Sequence, residues 1–224
     1  MRIRRKKWAR PELAVCPFFE SEPETRLGKW SERFEKEQPF YVELGCGKGT
    51  FAAQLALKNP DVNILAVDIK SDMLGVARRI IVEMFDDARR NVNNLMLTAY
   101  NVENIEKILS ADDKVQRIYI NFCNPWPKPK HKKRRLTYPN KLMKYRELLP
   151  DGGEIRFKTD DLPLFEESLG YFEQCGFEVV YKTYDLHNSD FKGNILTEHE
   201  SMFSKNGIKI KYLTAVKRAL ESEE

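Results

Sequence analysis

A chain of 224 residues with 42% hydrophobic content suffices for one domain with a substantial core, and no low-complexity linker or repeat divides it. The net charge of +4 is modest, no apolar run follows the positive N-terminal residues, and no stretch is apolar enough to cross a bilayer, which excludes a secretory signal and a membrane span. The four cysteines and three histidines have no metal-ligand spacing, so we expect a cytoplasmic protein without a metal.

Basic residues crowd the N-terminus around Trp8. They are Arg2, Arg4, Arg5, Lys6, Lys7 and Arg10. Cations interleaved with an indole are typical of nucleic-acid contact, although a disordered, solvated tail has the same composition. We expect residues 1–38 to form a basic segment that packs on, or precedes, a single domain over residues 39–224.

Residues 40–49 predict a strand that runs into a glycine-rich turn, and residues 50–58 carry helical spacing. A phosphate-gripping loop needs Ser or Thr after Gly-Lys, whereas Gly49 follows Lys48, and the dinucleotide fingerprint needs a spacing one residue longer. Glu43, just before the glycines, would repel a phosphate but attract an ammonium or a sulfonium. S-adenosylmethionine carries both of these cationic groups and is therefore favoured over NAD.

The next two predicted strands also end in polar side chains. Residues 63–67 are followed by Asp68, from which a carboxylate can accept both ribose hydroxyl protons. This position supports a nucleoside without choosing between NAD and S-adenosylmethionine. Residues 95–99 are followed by Asn101, whose amide could meet an adenine edge, but the position also suits a helix cap before residues 103–109.

Strand and helix continue to alternate through the rest of the chain. The predicted elements are a long amphipathic helix marked by Met73 to Ala88, a strand over 154–158, a helix over 162–175, a strand over 177–184 and a final strand over 208–217. The alternation implies a Rossmann-like, doubly wound, mostly parallel sheet, for which we expect seven strands. Two strands in a row at the end, with no full helix between them, imply that the terminal strand is antiparallel.

The most informative stretch is Asn124–Lys128, here called the lip. Residues 117–122 alternate as a buried strand, and the prolines that follow should hold Asn124 and Trp126 extended at its carboxyl end. The basic run Lys130–Arg135 comes next. An amide, an indole and five cations suit the binding of a flat nucleobase and its anionic nucleic-acid backbone. A stiff surface turn followed by a solvated basic face would have a similar sequence.

Two polar segments near the C-terminus could complete a base-binding site. Asp160 follows the strand over 154–158, and residues 194–200 are predicted as a polar loop. Carboxylates such as Asp160 and Glu200 could bind the donors on the Watson–Crick edge of guanine while N7 faces a methyl group. On local sequence alone, an N-cap at Asp160 and a surface loop at Glu200 are the simpler interpretations.

Over essentially the whole chain, these motifs closely resemble the bacterial tRNA (guanine-N7-)-methyltransferase family. The resemblance rests on the glycine turn with Glu43, on Asp68, the lip, the basic run, Phe157 to Asp160 and Thr197 to Glu200. It implies a class I fold and methyl transfer from S-adenosylmethionine to N7 of the variable-loop guanosine of tRNA, position 46 in the tRNA convention, which forms 7-methylguanosine. It leaves a monomer or a homodimer open.

The resemblance also implies roles for individual residues. Those lining the cofactor would be Glu43, Gly45, Gly47, Asp68, Asn101 and Asn124. Asn124 would also be the catalytic residue. The substrate would be held by Lys128, Asp160, Thr197, Glu198, His199 and Glu200. RNA would be contacted by Lys130, His131, Lys132, Lys133, Arg134 and Arg135.

This chain departs from the family pattern at three positions. The family usually has aspartate where this chain has Asn101 and Asn124, and an aromatic residue where it has His199. Asn124 matters most, because that aspartate is generally treated as catalytic. Guanine N7 carries a lone pair and no proton, so the attack needs positioning and not a general base. We expect activity to be retained but slower, because an amide offsets the cationic charge on the purine less well than a carboxylate.

Two other functions stay open. Methyltransferases acting on the amino group of adenine or cytosine also have Asn-Pro followed by an aromatic residue at this strand end. Trp126 and Pro127 stand where those enzymes usually have proline and an aromatic residue, which disfavours this function. The second alternative is a non-catalytic RNA-binding protein with a methyltransferase fold.

Overall fold

The computed structural model describes residues 5–219, in which strands and helices alternate. The strands are β1 (Phe19–Glu20), β2 (Phe40–Leu44), β3 (Asn63–Asp68), β4 (Leu95–Ala99), β5 (Val115–Asn121), β6 (Glu154–Thr159), β7 (Phe177–Thr183) and β8 (Lys211–Lys217). The α-helices are α1 (Ala9–Ala14), α2 (Thr50–Lys58), α3 (Ser71–Asp87), α4 (Pro139–Leu148), α5 (Leu162–Gln174) and α6 (Glu198–Lys205). Of these helices, none has both the length and the apolarity needed to cross a membrane.

The strands form one sheet in the order β1-β4-β3-β2-β5-β6-β8-β7. Neighbouring strands are parallel except at β8, which is antiparallel to both β6 and β7. The doubly wound, mostly parallel architecture is therefore confirmed, as is the antiparallel C-terminal strand. The strand number was wrong: the described part of the chain forms eight strands, because β1 joins the edge of β4. A two-residue strand is too short to show any alternation in sequence.

The central strands are buried on both faces, as expected for a parallel sheet covered by helices. In β3, residues 64–67 have no exposed surface. Helix α3 turns Leu74, Ala77, Ile81 and Phe85 toward the core, at the spacing that the sequence predicted. The chain order reverses direction between β2 and β5, and ligands of such sheets bind at this reversal, outside the carboxyl ends of the strands.

The segment before residue 39 is built into the same sheet and core. Trp30 is fully buried, and its indole N–H donates to the carbonyl of Ile108 at 2.6 Å. Helix α1 packs on α3 through Ala9, which lies against Gly75. Trp8 is half-buried, with the guanidinium carbon of Arg79 3.6 Å from its ring centroid. Within the described residues, α1 and Trp8 therefore pack against α3. The predicted basic positions Arg2 and Arg4 lie outside that range.

One predicted element boundary near the C-terminus was wrong. Residues 194–200 were expected to be a loop leading to the last strand without a helix, but α6 lies between them, and β8 begins at Lys211. The helix starts with a capping box: the Thr197 hydroxyl accepts from the backbone N–H of Glu200, whose carboxylate accepts from the backbone N–H of Thr197. This pairing satisfies two donors that the first helical turn would otherwise leave unbonded.

Candidate active site

The glycine turn after β2 leaves open space at the carboxyl edge of the sheet. Gly45 and Gly47 have φ values of 83° and 55°, a region that side chains rarely adopt, and a Cβ at either position would meet no atom within 4 Å. Gly49 has the opposite surroundings, because a Cβ there would come within 2.8 Å of Ala77 on α3. The turn thus packs tightly against α3 at its end and leaves room above its first two glycines.

Glu43 lies beside this space and is 2% exposed. Its Oε1 accepts a hydrogen bond from Nδ2 of Asn121 at 3.1 Å, whereas Oε2 is buried with no hydrogen-bond partner among the described residues. Burial raises the pKa of Glu43 to about 7; the Asn121 hydrogen bond and the Lys158 ammonium oppose the rise, and the Asp68 carboxylate adds to it. An unsatisfied buried carboxyl oxygen is costly, so this position favours a bound cation or donor.

Asp68, at the end of β3, is fixed by the backbone. Its Oδ2 accepts from the N–H of Gly47 at 3.0 Å, and its Oδ1 accepts from the N–H of Lys70 at 2.8 Å. Each oxygen keeps a further lone pair for a ligand hydroxyl. Asn101 accepts from the N–H of Glu103 at 3.0 Å and so caps the 3₁₀ helix Val102–Lys107, as the alternative interpretation predicted. Its NH₂ group has no hydrogen-bond partner within residues 5–219.

The lip has a different backbone from the one predicted. Asn124 is exposed, and its Oδ1 accepts from the N–H of Trp126 at 3.0 Å, which closes a tight turn. Trp126 was expected to be extended but has a φ of 43°, and Phe122 has a φ of 52°. Pro127 disfavours the right-handed helical region at Trp126. The hydrogen bond from the Trp126 N–H to Oδ1 of Asn124 instead holds Trp126 in the left-handed region. Two aromatic residues in this sparsely populated region flank Asn124, a pattern found at functional sites.

Arg135 is placed differently from the RNA-contacting role expected for it. Its side chain is 2% exposed; its Nε donates to the carbonyl of Pro125 at 2.7 Å and its guanidinium pairs with Glu167 at 2.9 Å. Arg135 therefore fastens the lip to α5. Sequence alone did not show this, because an arginine in a basic run carries no signal of its own burial.

The rest of the basic run forms the 3₁₀ helix Pro129–Arg134. Lys132 shares Glu167 with Arg135, at 2.7 Å. The exposed cations are Lys128, Lys130, Lys133 and Arg134. The guanidinium carbon of Arg134 lies 5.2 Å from the Trp126 ring centroid, and the His131 ring lies 5.8 Å from it. The indole thus has one cationic neighbour, Arg134, and one imidazole neighbour, His131, on an exposed basic surface.

Glu200 is also placed differently from the prediction, because it is fully buried and does not lie in a surface loop. Its Oε1 accepts from Asn194 at 2.6 Å and lies 2.8 Å from Nε2 of His187, while its Oε2 accepts from Lys158 at 2.9 Å. Burial alone would raise the pKa of Glu200, but the Lys158 ammonium and the hydrogen bonds from Asn194 and the Thr197 N–H hold it below its usual value. Both oxygens are engaged within the protein, so Glu200 anchors the start of α6 and leaves no free edge for a base.

The exposed residues of this segment are Glu198 and His199, whereas Thr197 is buried as the helix cap. Glu198 pairs with Lys48 of the glycine turn at 2.5 Å. The His199 ring stacks on Phe122 with centroids 5.9 Å apart and an interplanar angle of 19°. The start of α6 is therefore in contact with both the glycine turn and the strand end that leads to the lip.

Asp160 is half-buried after β6. The N-cap of α5 is Asp161, whose Oδ1 accepts from the N–H of Leu164 at 2.7 Å, so the capping role considered for Asp160 belongs to its neighbour. No hydrogen bond or ion pair engages the Asp160 carboxylate within residues 5–219, although its backbone carbonyl accepts from Lys211 at 2.9 Å. Its carboxylate is thus available for a donor group.

Sequence reasoning missed Lys158 and Asn121. Lys158 lies in β6 between buried residues and is 4% exposed, and it links Glu200, Asn194 and the carbonyl of Ile195. Asn121, its neighbour on β5, binds Glu43. Lys158 stands between Phe157 and Thr159 near the end of a predicted strand, and a lysine buried there requires a partner, which was the available signal. No group of three or more His, Cys, Asp or Glu side chains suited to a metal occurs among the described residues.

Known proteins similar to this chain are methyltransferases. A family model described as a putative methyltransferase matches residues 37–213. The tRNA (guanine-N(7)-)-methyltransferase of Clostridium beijerinckii is 56% identical over 217 residues, which cover 97% of this chain and 99% of that protein. The protein of the same name from Clostridium perfringens is 54% identical over 218 residues, which cover 97% of this chain and 100% of that protein.

Solved structures with a similar fold have much lower sequence identity. The 16S rRNA methyltransferase KamB has a TM-score of 0.61 at 13% identity, covering 85% of this chain and 93% of that one. A 16S rRNA (adenine(1408)-N(1))-methyltransferase variant from Catenulisporales acidiphilia, solved with its cosubstrate SAM, has a TM-score of 0.55 at 15% identity, covering 88% and 93%. These structures establish the methyltransferase fold.

Proposed function

This chain belongs to the tRNA (guanine-N(7)-)-methyltransferase family, and we propose that it transfers a methyl group from S-adenosylmethionine to N7 of the variable-loop guanosine of tRNA in the cytoplasm. The observation that carries the cofactor assignment is the buried, unpartnered Oε2 of Glu43 beside the open space over Gly45 and Gly47. A cationic ligand satisfies that oxygen, and a phosphate would be repelled by it.

The hydrogen-bonding side chains around this open space fit S-adenosylmethionine. Glu43 would accept from its cationic end, the fixed Asp68 carboxylate would accept from ribose hydroxyls, and the NH₂ group of Asn101 would donate to the adenine. When bound, the cofactor supplies an electrophilic methyl group on a sulfonium. The chain's own contribution is to bind, orient and exclude water, because guanine N7 has a lone pair and no proton to remove.

On the substrate side, exposed and buried residues have different roles. Asp160, Glu198, His199 and Lys128 would contact the guanosine, since their side chains are exposed or half-buried; Glu198 would exchange its ion pair with Lys48 for this contact. Thr197 and Glu200 would act by fixing the start of α6. The cations free to meet RNA phosphates are Lys130, Lys133 and Arg134, with His131 and Trp126 beside them.

The direct test is incubation with labelled S-adenosylmethionine and a tRNA transcript that carries a variable-loop guanosine, followed by chemical cleavage at 7-methylguanosine. We expect one cleavage site, at that guanosine, and none in a transcript with adenosine there. Nucleoside mass spectrometry that finds the methyl group on an exocyclic amine would favour the amino-group alternative. Absence of heat on titration with S-adenosylmethionine would favour the non-catalytic RNA-binding alternative.

We expect Asn124→Asp to raise kcat about two- to tenfold, because a carboxylate offsets the positive charge that develops on the purine better than an amide. The aspartate keeps an oxygen that can accept from the Trp126 N–H, so the turn survives the change. Steady-state turnover with saturating tRNA and S-adenosylmethionine measures the effect on kcat, and single-turnover rates show whether it lies in the chemical step.

Asn124→Ala is the matched control, since it removes the acceptor of the turn and should lower the rate. An aspartate variant no faster than the parent would show that charge at this position does not contribute. A parent without activity that the aspartate restores would show that Asn124 is a lesion.

A further inference from the structure

A recess of about 240 Å³ lies beside the active site, between α2 and the strands β5, β6 and β8. Phe191, Gly193, Asn194 and Ile195, from the segment that leads into α6, also line it. None of the roles proposed above uses it. The side chains relevant to its chemistry are Phe51, Lys58, Arg117, Arg156, Lys158 and Phe191.

The recess has an excess of positive charge. Lys158 is compensated by Glu200, but Arg117 and Arg156 share a single carboxylate oxygen: their Nε atoms lie 2.7 Å and 3.1 Å from Oε2 of Glu154. The terminal nitrogens of Arg156 have no hydrogen-bond partner within residues 5–219. Lys58 is exposed and has no hydrogen-bond or ion-pair partner in the same range. The four cations of the recess therefore have three nearby carboxylates, Glu154, Glu200 and Glu43, and Glu43 is only partly ionised near its pKa of about 7.

The Arg156 guanidinium is held in place by aromatic rings. Its central carbon lies 6.0 Å from the ring centroid of Tyr119 and 5.9 Å from that of Phe191. Phe191 packs in turn on Tyr212, with centroids 4.4 Å apart. A guanidinium already positioned in this way loses little conformational freedom when it binds a ligand, and its planar fork matches the oxygens of a phosphate.

The recess shares its walls with the active site. Asn121 and Lys158 line it, and these residues respectively bind Glu43 and the Glu200 anchor. Asn194 and Ile195 form its rim and accept hydrogen bonds from Lys158. A phosphate in the recess would thus touch the segment that positions the start of α6.

We propose that this recess is a phosphate-binding site, with Arg156 as its principal ligand, and that it holds a backbone phosphodiester of the RNA whose base enters the active site. The assignment to RNA rests on the proposed function, whereas the phosphate chemistry rests on the charge and geometry of the recess. A free nucleotide or pyrophosphate offers the same oxygens, so the test separates the two sources.

The experiment compares Arg156→Gln with the parent by tRNA binding, not by methylation. We expect the Kd for tRNA at 0.1 M salt to rise about five- to tenfold, and the slope of log K against log salt to fall by about one unit, as for one lost phosphate contact. The affinity for S-adenosylmethionine should not change. Arg89→Gln is the matched control, because Arg89 is exposed at the end of α3 and does not line the recess.

Pyrophosphate is the second probe, with the melting temperature as readout. Stabilisation of the parent but not of Arg156→Gln, with unchanged tRNA affinity, would overturn the RNA assignment in favour of a free nucleotide. Unchanged tRNA affinity without a pyrophosphate effect would overturn the site itself. Because tRNA binding is measured, a variant with lower affinity for tRNA supports the site even if no 7-methylguanosine forms. Failure of this site is therefore distinguishable from failure of the proposed function.

Discussion

Lys158→Met is expected to lower the free energy of unfolding by about 3–5 kcal/mol, because it leaves the Glu200 carboxylate buried without its cation. The same change leaves Oδ1 of Asn194 and the carbonyl of Ile195 without their donor, so the start of α6 loses its hydrogen bonds to β6. We therefore expect KM for tRNA to rise more than kcat falls. Urea unfolding and steady-state kinetics on the folded fraction measure the two effects.

A double-mutant cycle isolates the ion pair. Lys158→Met combined with Glu200→Gln removes both charges, so the double variant should be less destabilised than the sum of the single variants. Additive losses would show that the two side chains are not coupled. Lys182→Met is the matched control: this lysine is exposed on β7, and its replacement should change stability by no more than about 0.5 kcal/mol.

The affinity for S-adenosylmethionine is expected to fall about tenfold between pH 8 and pH 6, because the pKa of Glu43 is raised to about 7 and a cationic ligand binds its ionised form. Binding near pH 7 should release a proton, which calorimetry in buffers of different ionisation enthalpy detects. Glu43→Gln should remove the pH dependence and weaken binding about 10- to 100-fold, through loss of a charged hydrogen-bond acceptor. A pH-independent affinity in the parent would contradict the assignment of Glu43.

The stability of the ligand-free protein provides an independent readout. An unfolded glutamate ionises near pH 4.3, whereas folded Glu43 ionises near pH 7, so the folded state binds the extra proton between these values. The contribution of Glu43 to stability is therefore greatest at low pH and declines as pH rises toward 7. Glu43→Gln should abolish this decline, and Glu173→Gln, which changes an exposed carboxylate on α5, should leave it intact.

The sequence was sufficient to predict the elements whose residue pattern is long and regular. Helix α2 lies at the predicted residues 50–58, and β3 and β4 follow directly from runs of apolar residues. Such runs are informative because buried parallel strands are apolar on both faces. The acidic residue before the glycine turn likewise predicted a carboxylate at the carboxyl edge, where Glu43 lies.

What the sequence could not predict about these side chains has one physical cause: residue type does not reveal burial. Arg135 and Glu200 were assigned to RNA and to the guanosine because of their charge, but both are buried and hold other segments in place. The motif at Thr197 and Glu200 is also the signature of a capping box, so the sequence did contain a signal for the helix α6 that the prediction missed. The conformation of Trp126 depends on one hydrogen bond, from its backbone N–H to Oδ1 of Asn124. The spacing of apolar and polar residues in the sequence carries no information about such a bond.

The match to the family model begins at residue 37, but the sheet begins at residue 19. The N–H of Leu97 donates to the carbonyl of Phe18 at 2.7 Å, and the Thr98 hydroxyl donates to the carbonyl of Glu20 at 2.9 Å. Without those residues, the amide and carbonyl groups on the outer edge of β4 would be unpaired and could form β-sheet hydrogen bonds with another extended chain. The leading segment thus covers the open edge of β4, and a unit limited to the family-model match over residues 37–213 would leave that edge exposed.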